Sequence, residues 1–589
     1  MDSLLSGQLA YYFVIAVLDA ALLSWLGLRW FRRDVRTLMA RRGGSAPGPA
    51  PAPATPVPGP PLPAEDDPAH RLAFAIFEVG AGAPPRARAV SAPGRRRLVL
   101  VYALAAAAHA LVITGMQVAA GSGAAPLSVF AQFWVNTWPV LPALMVLLVL
   151  DRRESMRLGA VYLVGGALAM ALATLLVQGL RGAISAAPVT NVLWLLASLA
   201  WTAGAPLLLL LVTGWRRIRA VMPLALAATL LFGFGAAVSG ALLMRAFDRS
   251  ALRSAILDLS ALTSSEVVYH GAFLLVSLPV GLVAWWLIRG VAAAFEGKAF
   301  SDVQLIADCW WLVVTAQEAV VLSSALGFGG VAGALAAFVA YRAVVALGLR
   351  RRTGPTAARL LLLRVFGYQA RTERLFDRVA QRWRFRGPVQ LIAGADLATR
   401  TAGPGDILRL LTRRTAEPYV ASAAGVTERM AQLDGQPDPD GRYRLNQVYC
   451  HDDTWRPAVS ALIDRSDRVL MDVRGFSERS QGCVFELEQL LWRRPSDATV
   501  LVVDRTTDFP RLAGILDEGW QAARRAGRAR GEGRIALVRV ERAGIHEVRL
   551  LTSCLLGAGA PRRVLALDEM LAPAGRSASP AAEPTRPPG

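Results

Sequence analysis

Residues 466–504 read SDRVLMDVRGFSERSQGCVFELEQLLWRRPSDATVLVVD. Two short runs, 468–473 (RVLMDV) and 499–504 (TVLVVD), are apolar almost throughout. Strands of that kind are buried on both faces, as in parallel sheets. Between them the stretch reads Gly/Ser loop, then a helix opening at Gly482–Cys483, so the order is strand, loop, helix, strand. That order is one turn of a doubly wound α/β layer.

The same grammar extends both ways. Further strands are expected at 359–366, 388–393, 443–449 and 534–540, with helices near 371–384, 404–416, 425–433, 455–465, 483–493 and 509–526. The expectation is a Rossmann-like sheet of five or six strands over 357–572. Ligands of such sheets sit beyond the carboxyl ends of the strands. The residues there are Gly367, Gly394 and Asp396, then His451, then Asp472, Arg474, Gly475, Ser477, Gly482 and Cys483. Neither GxGxxG after a strand nor GxxxxGK[ST] occurs, which removes the usual dinucleotide and P-loop signatures.

The run Ser480-Gln481-Gly482-Cys483-Val484-Phe485-Glu486-Leu487 resembles the Cys-x-x-Glu-Leu segment of TIR domains. It is also similar to nucleoside deoxyribosyltransferase-like proteins, where a strand ending in Asp precedes a Gly and a helical Glu. The resemblance implies that Glu486 is a catalytic carboxylate acting at the ribose of a nucleoside or of NAD, with Ser477 and Gly482 lining the pocket. The strand at 359–366 departs from TIR domains, which usually carry an acidic residue and a Ser there. A carboxylate beside the ribose would stabilise oxocarbenium character or form a covalent adduct. Placed in the first turns of a helix, it would have its pKa lowered by the dipole, which favours an electrostatic or nucleophilic role.

Cys450-His451-Asp452-Asp453 reads either as a metal or acid/base cluster or as a strand end with an Asp capping the helix at Trp455. No second ligand pair accompanies it, and no metal site is assigned. Arg364, Arg474 and Arg505 stand at or just after strands and suit either a phosphate or ion pairs with nearby Asp residues.

The other half of the chain is apolar in blocks of about twenty residues, the length that crosses a bilayer core of roughly 30 Å. Blocks at 8–28, 98–120, 128–150, 158–180, 190–213, 220–244, 270–289, 305–326 and 329–349 make about nine spans. Arginines crowd alternate junctions: Arg95–Arg97, Arg152, Arg153 and Arg157, Arg216, Arg217 and Arg219, and Arg350–Arg352. The positive-inside rule then places the N-terminus outside and the α/β domain in the cytoplasm of a bacterial inner membrane. The segment 245–269 carries Arg245, Arg249 and Arg253 and reads as an amphipathic helix on the outer surface. The organisation expected is a first span with its basic flank (1–43) and a Pro-rich linker with a short interfacial or docked apolar segment at 69–79 (44–96). An eight-span region (97–350), the α/β domain (357–572) and a Pro/Ser-rich tail (573–589) follow. Asp19, Asp308 and Glu318 lie in apolar blocks, where an ionisable group marks either an ion or proton relay or an interhelical hydrogen bond.

The net charge of +20 comes with one lysine, Lys298, among 64 basic residues. No base-reading motif accompanies it, so nucleic acid is not an expected partner. Cys309, Cys450, Cys483 and Cys554 form no CxxC pair, and reduced thiols are expected. The partners expected are the lipid bilayer, a nucleotide (NAD among the options, with no cofactor assigned) and a second copy through the cytosolic domain. The fold expected is an α-helical transmembrane bundle followed by a cytosolic, mostly parallel, doubly wound α/β domain. The function expected is nucleotide-linked signalling, sensing or an effector cleavage. A transporter with a regulatory domain and a non-catalytic scaffold are the alternatives.

Overall fold

The computed structural model describes residues 22–38, 72–78, 93–121, 125–148, 152–181, 189–190, 192–193, 250–349, 357–365, 369–393, 404–451, 454–557 and 561–566. Gly367, Gly394, Asp396, Asp19, Asp452, Asp453, the 44–68 linker, the tail, the expected span at 220–244 and nearly all of that at 190–213 lie outside the described residues.

Helices α1 (22–38), α2 (Pro93–Ala119), α3 (Pro126–Asn136), α4 (Val140–Leu147), α5 (Arg152–Arg181), α6 (Ser250–Leu262), α7 (Ser265–Glu296), α8 (Asp302–Leu326) and α9 (Phe328–Gly348) precede most of the sheet. Five segments among the described residues are long and apolar enough to cross a membrane: Arg96–Ala119, Pro126–Leu147, Met156–Gly179, Asp302–Ser323 and Phe328–Gly348. They coincide with five of the apolar blocks. The block at 270–289 lies within α7. Outward faces such as Val161, Val164, Leu168, Leu172 and Leu176 on α5 are more than half exposed, a surface suited to lipid and not to water.

Among the described residues the α/β layer holds nine strands in the order β4-β5-β3-β2-β6-β7-β8-β1-β9. They are β1 (Ala73–Phe77), β2 (Leu360–Arg364), β3 (Val389–Ala393), β4 (Tyr419–Val420), β5 (Leu445–Cys450), β6 (Arg468–Asp472), β7 (Thr499–Val503), β8 (Arg534–Arg539) and β9 (Arg563–Ala566). All pairings are parallel except β1 with β9. All six expected strands form. Alternate residues serve opposite faces, as the pleat requires. Leu360 and Leu362 meet helices α10 (Gln369–Trp383) and α16 (Ile545–Leu555), with α1 on the same side. Leu361 and Leu363 meet α13 (Trp455–Arg465), α14 (Gln481–Arg493) and α15 (Phe509–Arg525). Helices α11 (Pro404–Leu411) and α12 (Gly425–Ala431) complete the layers.

Two elements revise the expected domain boundaries. The basic flank of the first span is helical, and Leu28, Phe31 and Val35 are buried in the core, where Phe31 and Val35 lie by Tyr419 and Tyr449 and the Val35 carbonyl accepts from the Tyr419 hydroxyl (3.4 Å). Of the two readings of the short apolar segment at 69–79, docked holds and interfacial does not: Ala73–Phe77 is strand β1, seated between β8 and β9. Its two faces are both apolar and both covered, so neither water nor a membrane surface would serve it as well. Leu72 and Phe74 are fully buried, with Phe74 edge-on to Phe509 at 6.3 Å. Ala75 and Phe77 serve the other core, and Glu78 pairs with Arg539 and Arg562. Phe74→Leu is therefore expected to cost on the order of 1–2 kcal/mol. Urea titration of the solubilised full chain reads it; a change as small as that of a surface substitution would show that β1 is not a core strand.

The bundle and the layer meet at the amino ends of β3 and β5. Arg384, in the turn before β3, donates two bonds to Asp302 at the start of α8 (2.9 and 2.6 Å). Ser301, which caps α8, donates to Asp440 (2.7 Å). Arg444 lies over the Phe295 ring and donates to the Phe295 carbonyl (2.6 Å). Lys298 pairs with Asp434 (2.6 Å). The carboxyl ends of the strands are the opposite edge of the sheet.

Candidate functional site at the strand-order reversal

Counting the six central strands from β2 and leaving out the two-residue β4, the order is 3-2-1-4-5-6. The chain reverses between β2 and β6, and the crevice beyond their carboxyl ends is where open α/β sheets bind ligands. In register there, Arg364 lies beside Asp472.

Asp472 is 1% exposed and fully engaged. It accepts from Arg474 Nε (2.8 Å), Arg474 Nη2 (2.7 Å) and Thr372 Oγ1 of α10 (2.8 Å). The Arg474 backbone also turns its N–H towards it (3.3 Å). Arg474 is 2% exposed and lies in the field of Asp504 and Glu547 as well. Of the two readings of Arg474, ion pairing with a nearby Asp holds. Arg505 likewise pairs with Glu541 (3.7 Å) and is largely exposed.

Gly475 carries φ +73°, the left-handed region open to glycine. This lets Phe476 N–H reach the Val473 carbonyl (3.1 Å) and closes the turn from β6. Ser477 is exposed and donates its N–H to Ser480 Oγ (3.2 Å). Gly482 opens a short distance to Trp455: a Cβ there would sit 3.8 Å from its ring. Cys483 is buried, and its thiol donates to the Arg364 carbonyl (3.6 Å).

Glu486 follows on the buried face of α14 with Cys483, Leu487 and Leu490. It is the sixth residue of the helix, not in its first turn, and it is 4% exposed. Burial pushes its carboxyl up to about 8, against the partial pull of the Arg364 charge. This overturns the expectation of a dipole-lowered carboxylate, because desolvation outweighs a helix terminus more than a turn away. Oε2 has no hydrogen-bond partner among the described residues. At neutral pH the group is a carboxylic acid.

His451 lies at the same edge but in another place. β3 separates β5 from β2, so it stands two strand spacings, about 10 Å, from the crevice. Its ring lies 6.3 Å from that of Tyr419. The cap of α13 is Thr454, which accepts the His451 N–H (3.0 Å), in place of the expected Asp. Among the described residues no group of three potential ligands could hold a metal. The four cysteines are unpaired with one another.

Thr372 and Asp504 were not expected in the crevice. Thr372 enters from the first turn of the helix after β2, a position the strand-end reading passes over. Asp504 directly follows β7, accepts from Thr506 N–H (2.9 Å) and lies 3.6 Å from Arg371.

Within the membrane segments, Asp308 pairs with Arg342 (2.5 Å) and accepts from Tyr341 (2.9 Å). It is thus an interhelical tether. Glu318 is 9% exposed and bonded to Gln117.

No protein-family model, curated protein or solved structure matches this chain.

Proposed function

We propose that this chain is a bacterial inner-membrane protein whose α/β layer stands in the cytoplasm and takes a nucleoside or nucleotide at the β2–β6 crevice. Glu486 is the reacting group. The reading rests on one observation: a carboxylic acid at a core position of α14, kept neutral by burial, beside the buried Arg364 at the strand-order reversal.

A neutral carboxyl suits a general acid. As the C1′–N bond breaks, the Glu486 proton goes to the leaving base and the sugar becomes an oxocarbenium ion. Water then adds at C1′, and its proton returns to the Glu486 carboxylate. A purine, which leaves best when protonated, fits this better than nicotinamide, which leaves neutral from NAD. Arg364 would face a phosphate or stabilise the carboxylate after transfer.

Arginine placement supports the cytoplasmic side, and the strand pairing supports one common side for both ends of the bundle. Arginines favour the junctions expected inside. In addition, β1 and β2 belong to one sheet, so the chain crosses the membrane an even number of times between residues 78 and 359. The eight spans expected there satisfy this. The five candidates among the described residues do not by themselves; the apolar block expected at 270–289 would add a sixth.

The test uses the full chain in lipid nanodiscs with purine nucleosides, nucleotides and NAD, following binding and base release. Base release that disappears in Glu486→Gln, with binding kept, supports the proposal. Binding without release assigns the crevice to a ligand-gated regulator. Neither binding nor release would sink the reading.

A further inference from the structure

Helix α8 carries Asp308, Trp311, Thr315 and Glu318 at spacings of three and four, one face of a helix. That face is turned inward and met by polar groups from three other helices. Tyr341 and Arg342 of α9 hold Asp308. His109 of α2 meets the Trp311 ring at 4.9 Å, and Tyr341 stacks on the other part of that indole at 4.6 Å. Gln117 of α2 bonds Glu318 and accepts from Asn136 of α3 (2.9 Å), which also donates to Thr114 (3.0 Å). The rungs His109–Trp311 and Gln117–Glu318 follow one another along two helices running the same way.

Two further features belong to this file. His109 is 1% exposed, yet neither ring nitrogen has a hydrogen-bond partner among the described residues, nor has Trp311 Nε1. A buried imidazole left so is costly unless water or a proton serves it. The span Pro126–Leu147 is also broken: α3 ends at Asn136, and Thr137–Pro139 form a turn before α4. The Pro139 carbonyl is taken by Trp310 Nε1 (3.1 Å). Interrupted helices within membranes occur where protein or a water-lined path covers the freed backbone.

We propose that this file is a proton path through the helix bundle, with Glu318 as the group that binds and releases the proton. The carboxylate of Glu318 takes a proton from water and becomes a carboxylic acid. It passes the proton through water to His109, which becomes imidazolium and releases it toward the Asp308–Arg342 pair and the junction with the α/β layer. Asp308 to Glu318 spans ten residues, about 15 Å, half of the bilayer core. The charged and titratable groups facing the file are Asp308 on α8, Arg342 and Tyr341 on α9, and His109 and Tyr102 on α2. A metal cation is a poor fit. It needs several converging oxygens, whereas the Asn136 amide already directs its hydrogens at Gln117 and Thr114.

The experiment is the full chain in liposomes that trap a pH-sensitive dye, with proton entry driven by a potassium diffusion potential and valinomycin. The expected result is acidification faster than in protein-free vesicles. It should fall to the protein-free rate in Glu318→Gln and His109→Phe and be partly kept in Glu318→Asp. Glu488→Gln, an exposed change in the α/β layer, should leave it unchanged. Thermal melting of each variant separates lost conduction from lost folding. Wild-type flux equal to protein-free vesicles, full flux in well-folded Glu318→Gln, or flux that follows an imposed sodium gradient in place of the potential-driven proton would each overturn the proposal.

Discussion

Glu486→Gln is expected to stabilise the protein at neutral pH and, on the proposed reading, to abolish base release. Burial raises the native carboxyl from the ordinary value of 4.5 to about 8. Below about pH 4.5 the acid is neutral in both folded and unfolded chains and costs nothing. As pH rises from there to about 8 the unfolded chain ionises and the native one does not, so stability is lost across that window. At pH 7 the loss is about 3 kcal/mol, at 1.36 kcal/mol per unit. Because the group is 4% exposed, little of this is screened by solvent. The amide of glutamine is neutral throughout and escapes the loss, less about 1 kcal/mol for a buried NH₂ that lacks an acceptor. Melting temperatures of both proteins from pH 4 to 8 should cross, the variant lower near pH 4 because of its unpaired NH₂ and increasingly higher above about pH 5.5. A variant less stable at pH 7, or parallel curves, would show that Glu486 is not held as a neutral acid. Stability surrendered at one buried group is a common mark of a working site.

Asp472→Ala is expected to cost about 3–5 kcal/mol, the usual consequence of removing one partner of a buried ion pair. Arg474 would keep its charge at 2% exposure with its bidentate acceptor gone, and the Thr372 hydroxyl would lose its acceptor too. Replacing both ends, Asp472→Leu with Arg474→Met, should recover most of the loss, since well-packed apolar substitutes are often neutral for such pairs. Urea midpoints of the full chain read both. If the single substitution costs less than about 1 kcal/mol, the pair is solvent-served and free to meet a ligand. If the double variant folds and still binds nucleotide, the pair is a fixture of the crevice wall.

The strands and most helices of the layer were legible because their apolar runs are short, continuous and bounded by Gly, Pro or Asp. The AFAIF run of β1 was legible as apolar but not as a strand. Its partners lie more than four hundred residues away, and no local pattern signals a pairing at that separation. β4 has two residues and β9 four, too few for a period. Helix α16 has a capping Glu547 but follows its strand without a strong stop signal. At the site, residue type was a better guide than role. Glu486, Cys483, Asp472, Arg474 and Gly475 do gather near one crevice. Composition could not say that Asp472 and Arg474 satisfy each other, or that Glu486 sits two residues deeper in its helix than a start at 483 suggested. Gln117 and Asn136 were passed over as isolated amides because only the folded bundle brings their helices together.

The seat of β1 bears on how the chain is made. Ala73–Phe77 leaves the ribosome before every helix from Pro93 onward, and β8 and β9 leave it last. The strand must wait with both hydrogen-bonding edges open while the bundle assembles, a hazard typical of long-range parallel pairing. Once it docks, the membrane helices become a loop cinched at both ends by one sheet. A C-terminal fragment cut after the last span would carry β9 with no partner and β8 with a bare edge. A peptide of residues 69–79 supplied in trans would fill that gap by strand addition.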